Sequence, residues 1–335
     1  MAEAKRLLIL TRDRAGAPFR QRIEPYLAPM ATRGIETEVV ELPRGAWARR
    51  RQLRRAREFD GILLHRKTLT WWDAAALGWT RGRGPLIYDF DDAVMFQAWS
   101  PHRPHAGRLR RFERTVMRAN LVLAGSPNLA EHARRTGARH VEVVPTGLDT
   151  GRYRPKRDYD SPGPVRLVWI GSRSTLKQLA AFRPALEQIG RAVPGVRLRV
   201  IADAELDIPG LAVENVPWRL ETETDLLAES DIGIAPLPDT PYTRGKCGFK
   251  IVQYMAARLP VVASPVGVNA DYVRDGRTGF RAQSPDEWIE RVQRLASDSR
   301  LREQMGRAGR RRAEAEFDFS VLAPRVCNLI EEVLR

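Results

Sequence analysis

Two stretches combine the residue types that hold phosphate. The first is Val168-Trp169-Ile170-Gly171-Ser172-Arg173-Ser174-Thr175-Leu176-Lys177. An apolar run stops at a glycine, small hydroxylated residues follow, and a helical pattern begins. A glycine lets the backbone approach a ligand closely, and a helix N-terminus offers free N–H groups at the positive end of its dipole. Arg173 and Lys177 add full charges. Gly171, Ser172, Arg173 and Lys177 are therefore a candidate diphosphate cradle, although a plain strand-to-helix turn capped by Ser or Thr has the same composition. The run has neither the Gly-Lys-Ser/Thr ending of a Walker loop nor the glycine spacing of a dinucleotide fingerprint. The second stretch runs from Asp231 past Asp239 to Gly245-Lys246-Cys247-Gly248-Phe249-Lys250-Ile251-Val252-Gln253-Tyr254-Met255-Ala256. A helix start around Gly248 is expected to set Lys246 and Lys250 one turn apart on one face, with Gln253 on the side of Lys250. Lysine in a first turn opposes the dipole, so two of them imply an anion there, unless both are simply solvated.

Ile87-Tyr88-Asp89-Phe90-Asp91-Asp92-Ala93-Val94 is an apolar run that ends in acids. One carboxylate, taken as Asp92, is expected to orient a substrate hydroxyl. A hard-cation site and a helix cap are the competing readings. His65 follows the run Gly61–Leu64 and is expected at a strand's carboxyl end beside Arg66 and Lys67, facing a cleft, where it would position a substrate. A surface or capping histidine reads the same. His102 and His105 stand at i,i+3 in a Pro/His loop, too weak a pair to imply a metal. Trp47–Glu58 (WARRRQLRRARE) is a basic helix whose apolar residues are Trp47, Leu53 and Ala56. It suits an anionic bilayer surface, or plain solvation.

These residues need a scaffold. Short apolar runs at Leu7–Leu10, Thr37–Val40, Gly61–Leu64, Pro85–Tyr88, Leu121–Ala124 and Val141–Val144 read as buried parallel strands. Helical patterns at Arg20–Arg33, Ala46–Glu58, Leu109–Ala119 and Asn128–Thr136 alternate with them. Thr150–Pro164, rich in Pro, Gly and charge, reads as a linker. The alternation then restarts with strands at Val165–Ile170, Val196–Ile201, Leu211–Val216, Ile232–Ala235 and Val261–Ala263. Helices are expected at Thr175–Ile189, broken near Pro184, at Thr224–Ser230 and Gly248–Ala257, and over most of the tail from Pro285. Two doubly wound halves leave a cleft between them, with ligands at the strands' carboxyl ends.

The bulk numbers agree with this organisation. A chain of 335 residues with 43% hydrophobic residues supports two cores. Cys247 and Cys327 form no spaced cluster, so a zinc site or disulfide framework is not expected. The apolar start MAEAKRLLIL turns polar too soon for a signal peptide, and no apolar window reaches membrane-spanning length. The net charge of +15 is uneven. Residues 1–160 hold 31 Lys/Arg against 18 Asp/Glu, and residues 161–335 hold 25 against 23. The basic half points to an anionic partner or to arginine-rich solvated faces. Nucleic acid is not the expected partner, since no RNA- or DNA-binding motif is present. The expected location is cytoplasmic, at the inner face of the membrane where the basic half meets lipid.

The run Asp231–Phe280 resembles glycosyltransferase family 4 (group 1), retaining enzymes with the GT-B fold. The likeness lies in Gln253-Tyr254-Met255-Ala256-Ala257-Arg258-Leu259-Pro260-Val261-Val262, in Ala263–Asn269 and in Val273–Phe280, and Gly171 with Lys177 fits the family's phosphate turn. It covers nearly all of residues 141–335 and weakens before them. The resemblance implies an α/β GT-B chain of two doubly wound Rossmann-like domains facing a central cleft. Residues 1–158 would bind acceptor and residues 159–316 nucleotide sugar, with 317–335 a helix returning to the first domain. It implies transfer from a nucleoside diphosphate sugar, of the hexosyltransferase type and with retention, to a cell-surface glycan, lipid-linked or secondary-metabolite acceptor, without a metal or other cofactor. A degenerate binding protein and a sugar-nucleotide epimerase are the alternatives. Asp92, His65 and Lys250 would be catalytic. The loop Thr11–Pro18 would approach the diphosphate through Gly16, with Arg20 nearby, and Trp218 and Arg219 would line the base pocket.

The family usually carries two glutamates eight positions apart, one holding the donor ribose and one the sugar. Here Gln253 and Gly245 stand in those places, so Asp239 is the expected substitute at the sugar and Lys246, Gly248 and Lys250 carry more of the donor. Arg258 replaces a usual glycine.

Overall fold

The structure, a computed structural model, describes residues 4–78, 84–160 and 163–335. The chain forms two compact units. One comprises Met1–Gly147, Thr240–Cys247 and Phe319–Arg335, the other Leu148–Asp239 and Gly248–Asp318.

The first unit holds β1 (Lys5–Thr11), β2 (Ile35–Glu41), β3 (Gly61–His65), β4 (Leu86–Phe90), β5 (Leu121–Ala124) and β6 (Val141–Val143). They lie in the order β2-β1-β3-β4-β5-β6, and every pairing is parallel. Successive residues of a strand point to opposite faces, and in a doubly wound sheet both faces are covered. Leu8 and Leu10 accordingly pack with Leu53, Tyr88 and Phe112, while Leu7 and Ile9 pack with Phe19, Met30 and Ile330. The helix Phe319–Leu334 closes the second layer with Leu322, Val326, Ile330 and Leu334, a stripe at helical spacing.

The second unit holds β7 (Arg166–Ile170), β8 (Arg197–Ala202), β9 (Ala212–Pro217), β10 (Ile232–Ala235), β11 (Val261–Ala263) and β12 (Gly279–Arg281). Their order is β12-β11-β10-β7-β8-β9, again all parallel. Leu167 and Trp169 enter one core layer, Val168 and Ile170 the other.

Prolines break two of the expected helices. Arg20–Arg33 is part of two helices, Ala17–Arg22 and Glu24–Ala31, parted at Ile23 ahead of Pro25. Thr175–Ile189 is likewise part of Arg173–Ala181 and Arg183–Ala192, parted at Phe182 ahead of Pro184. The ring fixes φ and suits only the first turn of the following helix. The helix Trp71–Gly78 and the strand β12 had no sequence counterpart. β12 begins at Gly279, whose φ is +157° and whose Cβ would stand 2.0 Å from the Val261 carbonyl oxygen, so backbone proximity sets it.

Of the stretch Thr150–Pro164, the part from Thr150 to Asp160 is fastened rather than loose. Tyr153, Lys156 and Tyr159 are buried, the Lys156 amide donates to the Ala257 carbonyl at 2.9 Å, and the Tyr159 hydroxyl donates to the Arg258 carbonyl at 2.7 Å. The compact units accordingly divide after Gly147 and not at 158.

The long helix Ser299–Glu316 packs at Gly306 and Gly309. Helix propensity alone favours alanine at both by about 1 kcal/mol. A Cβ at Gly306 would stand 2.0 Å from the Arg258 carbonyl oxygen, whereas at Gly309 it would meet only the Met255 side chain at 3.3 Å. Gly306→Ala is expected to lose about 1–3 kcal/mol through overpacking, and Gly309→Ala to be neutral or slightly stabilising. Denaturant midpoints of the two variants check this; equal shifts would contradict the packing argument.

Candidate functional site

In the first unit the chemistry gathers where β3 and β4 end. Asp89 is one residue inside β4 and is the register partner of His65 in β3. A carboxylate there is 2% exposed and needs a counter-charge. Arg22 supplies it at 2.5 Å and also donates to the Val144 carbonyl at 2.6 Å. Beyond β4, Asp91 faces the Arg66 Nε at 3.2 Å. Asp92 accepts from Lys246 Nζ at 3.0 and 3.2 Å and from Arg66 at 3.3 Å. Arg66 adopts a left-handed φ of 57° to enter this cluster. Each of the three acids thus faces at least one cation. Side-chain exposure rises along the series, from 3% at Asp89 to 13% at Asp91 and 24% at Asp92.

Two sequence expectations change here. Lys246 does not share a helix face with Lys250. The helix Phe249–Ala256 begins after Gly248, whose left-handed φ of 63° turns the chain just before it, and Lys246 precedes that turn, in the segment that belongs to the first unit. Burial opposes its charge, but Asp92 and Tyr242 hold the ammonium above its ordinary range. His65 is not presented at an open edge. It is 2% exposed, its Nδ1 lies 3.0 Å from the Thr11 hydroxyl, and Phe19 meets the ring edge-on. Burial holds the imidazole below its ordinary value against the pull of Asp89 and Asp91. His65 thus lies inside, its Nε2 3.9 Å from the Asp89 carboxylate. Gly16 is also engaged locally, since its amide donates to Asp13 at 2.9 Å. Arg20 reaches the Ala15 carbonyl. His105 caps the helix Ala106–Val116 by accepting from the Arg108 amide, and His102 is exposed.

Gly245 explains the absence of an acid at its position. A Cβ there would come within 2.8 Å of Ala93 Cβ and 3.1 Å of Leu129. The loop lies too close to its own unit for any side chain at 245.

In the second unit β7 feeds the turn at Gly171. A Cβ at this glycine would stand 2.5 Å from the Trp169 ring and 2.7 Å from Thr175 Oγ1, so the turn lies flat against the indole. Ser172 and Thr175 form a capping box at the start of Arg173–Ala181. Ser172, Arg173 and Lys177 are exposed. The Arg173 amide donates to the Asp203 carboxylate, and its guanidinium donates to the Asp203 carbonyl at 2.8 Å. An internal acid thus already takes the first free amide of the helix, a feature the sequence reading missed. Lys250, in the first turn of Phe249–Ala256, stands 4.8 Å from the centre of the same Trp169 ring. Trp169 therefore joins Lys250 to the Gly171 turn. Arg219 and Asp239 are exposed on loops of this unit.

Gln253 is 5% exposed. Its Nε2 donates to the Tyr153 hydroxyl at 3.1 Å, Tyr153 donates to Glu223 at 3.2 Å, and the Trp218 indole donates to the other Glu223 oxygen at 2.8 Å. Glu223 and Tyr153 are each 5% exposed. Burial first, and Glu223 next, push the Tyr153 phenol above its ordinary range. The phenol has one proton, which goes to Glu223, so position 253 must offer a donor. Glutamine does and an ionised glutamate does not. Neither Tyr153, set in an apparent linker, nor Glu223, in the first turn of a short helix, carried a sequence signal for this network.

Gln253→Glu is expected to destabilise the chain by about 1–3 kcal/mol, since two buried carboxylates would then compete for one phenol proton. Exchanging the groups in Glu223→Gln/Gln253→Glu should recover most of that loss. A double-mutant cycle on denaturant midpoints measures the coupling, and simple additivity would disprove it.

Comparison with known proteins places the chain. Residues 5–152 match the family described as "Glycosyltransferase Family 4" and residues 164–298 the family "Glycosyl transferases group 1". A D-inositol 3-phosphate glycosyltransferase of Nocardia farcinica is 23% identical over 93% of this chain and 72% of its own length. Spore coat protein SA of Bacillus subtilis is 29% identical over 34% of this chain, which spans 28% of that protein. Another D-inositol 3-phosphate glycosyltransferase, from Segniliparus rotundus, is 28% identical over 50% of this chain and 42% of its own. The fold is that of a sucrose-phosphate synthase from Thermosynechococcus elongatus, at TM-score 0.76 and 15% identity over 98% of both chains. It is also that of Anabaena HepE solved with UDP-glucose, at TM-score 0.75 and 17% identity over 98% of this chain and all of that one. With two parallel six-stranded sheets and these two domain matches, the chain belongs to the family 4, or group 1, glycosyltransferases of GT-B fold.

Proposed function

We propose that the chain transfers a sugar from a nucleoside diphosphate sugar to a glycan or lipid-linked acceptor, with retention at the anomeric carbon. The observation that carries this reading is Lys250 held over Trp169, against which the Gly171 turn lies. A cation in the first turn of a helix opposes the dipole, and an anion bound beside it offsets that cost. HepE, of the same fold, is described in complex with UDP-glucose, which makes a uridine diphosphate sugar the first donor to try.

In this reading Lys250 and Lys177 stabilise charge growing on the departing diphosphate, with Ser172 at the turn. Asp203 holds the backbone and side chain of Arg173, so Arg173 shapes the turn more than it meets the phosphate. Gln253 presents its Oε1 to a donor hydroxyl while Tyr153 fixes its Nε2. Asp92 is the most exposed of the three acids and orients the acceptor hydroxyl. The leaving phosphate takes the acceptor proton on the face it vacates, so no protein nucleophile is involved. The cations serve the charge, and no metal is required.

Lys250→Ala is expected to lower turnover about 100-fold or more with an unchanged unfolding midpoint, measured after a thermal-shift screen has identified the donor. Wild-type turnover would remove the phosphate role. Donor consumption should occur only when acceptor is supplied, which separates transfer from epimerisation and from binding alone. Proton NMR of the product should show the donor's anomeric configuration, and an inverted product would refute retention.

A further inference from the structure

Among the described residues of the first unit, the exposed tryptophans are not scattered. Trp47, Trp71, Trp72 and Trp99 are 81, 60, 59 and 77% exposed. Trp47 follows β2, Trp71 and Trp72 follow β3, and Trp99 follows β4. In a parallel sheet those strand ends share one edge, the edge that also carries Asp91 and Asp92. Three of the four make a single surface. Trp71 and Trp72 meet edge to face at 4.5 Å, and the Arg50 guanidinium lies 5.2 Å from the Trp47 ring and 4.9 Å from the Trp72 ring. The charge around them is predominantly basic. Residues 42–57 contain seven arginines and no acid. Arg49 is paired with Asp73 and Arg55 with Glu38, and Arg50, Arg51 and Arg54 have no acidic partner among the described residues. Lys67 stands in the same field: burial first, then Arg49, Arg12 and Arg111, lower its affinity for a proton.

The basic helix alone does not offer an apolar face. Leu53 and Ala56, grouped with Trp47 on sequence, are 1% and 7% exposed and belong to the core. We infer that Trp47, Trp71 and Trp72, with Arg50 between them, form a docking surface for an anionic phospholipid bilayer. Indole rings prefer the headgroup level, and arginines at the same height meet anionic lipid. A soluble polyanion without aromatic groups would use the arginines and leave the indoles in water, and one that stacked on them would bind without vesicles. On the transferase reading, a docking surface at the edge that holds Asp92 implies an acceptor carried in the membrane.

The test is sedimentation of the full chain with phosphatidylcholine vesicles, with and without phosphatidylglycerol, together with tryptophan emission. The expected result is binding only to the anionic vesicles, a blue shift, and quenching by brominated acyl chains. Arg50→Ala should lower partitioning about fivefold. The combined Trp47→Ala/Trp71→Ala/Trp72→Ala variant should abolish binding, and Met117→Ala, exposed elsewhere on the unit, should leave it unchanged. No anionic-lipid dependence overturns the inference, as does binding without an emission shift, the behaviour of a purely electrostatic contact. If the triple variant unfolds, quenching of the native protein decides alone. Vesicle binding needs no donor, so its failure leaves the transferase proposal intact, and a failed transferase assay leaves the docking result readable.

Discussion

A strand inside a doubly wound parallel sheet is covered by helices on both faces, so it has room for charge only at its ends. β3, β5, β10 and β11 obey this throughout, each being buried along its length. The polar chemistry of both units follows from it: the acids after β4, the turn after β7 and the loop after β10 all lie just past strand carboxyl ends. Arg199 breaks the rule inside β8, held by Glu214 and Glu229, and Asp89 departs from it by a single residue in a way that organises its surroundings. It draws Arg22 into the interior, and Arg22 in turn bonds the chain just beyond β6. A buried charge obliges the sheet to bring a helix residue across its face.

The two units hold their least exposed acids by different means, although the second also pairs Asp231 with Lys156 as full charges. In the first, Arg22, Arg66 and Lys246 meet Asp89, Asp91 and Asp92 as full charges. In the second, Glu223 receives two neutral donors, the Tyr153 phenol and the Trp218 indole. An ion-paired carboxylate is held in place by its charged partner. A carboxylate held by neutral hydrogen bonds passes its preference along the chain of donors, and here it sets which way the Gln253 amide faces.

What the sequence disclosed and what it hid follow the range of the forces involved. Strand positions were legible because burial on two faces leaves an apolar run. The break near Pro184 was legible because proline acts on its immediate neighbours, whereas the one ahead of Pro25 was missed in a stretch read as a single helix. Lys246 was misplaced because its partner Asp92 lies far away in sequence, and because the left-handed turn at Gly248 starts the helix later than its pattern suggests. Tyr153, Lys156 and Tyr159 were read as linker because polar composition does not reveal that each side chain finds a buried partner. The same limit hid the division of the tryptophan-bearing helix, where Leu53 faces the core and Trp47 faces out.

The departures from the family pattern at 245, 253 and 258 can be weighed on the same terms. If the site had merely decayed, the replaced residues would sit among neighbours still shaped for the originals. At 245 the opposite holds, since Ala93 and Leu129 leave no volume for a side chain. At 253 the phenol of Tyr153, committed to Glu223, requires a donor, and an amide is the group that provides one in the glutamate's shape. Arg258 is the costlier case, because its φ of 60° is left-handed and glycine would adopt it with less strain. Even there the surrounding groups are matched to the bend: Tyr159 donates to the Arg258 carbonyl, and Gly306 makes room for that same oxygen. Three substitutions that look like losses in the sequence are fitted to their neighbours in the fold.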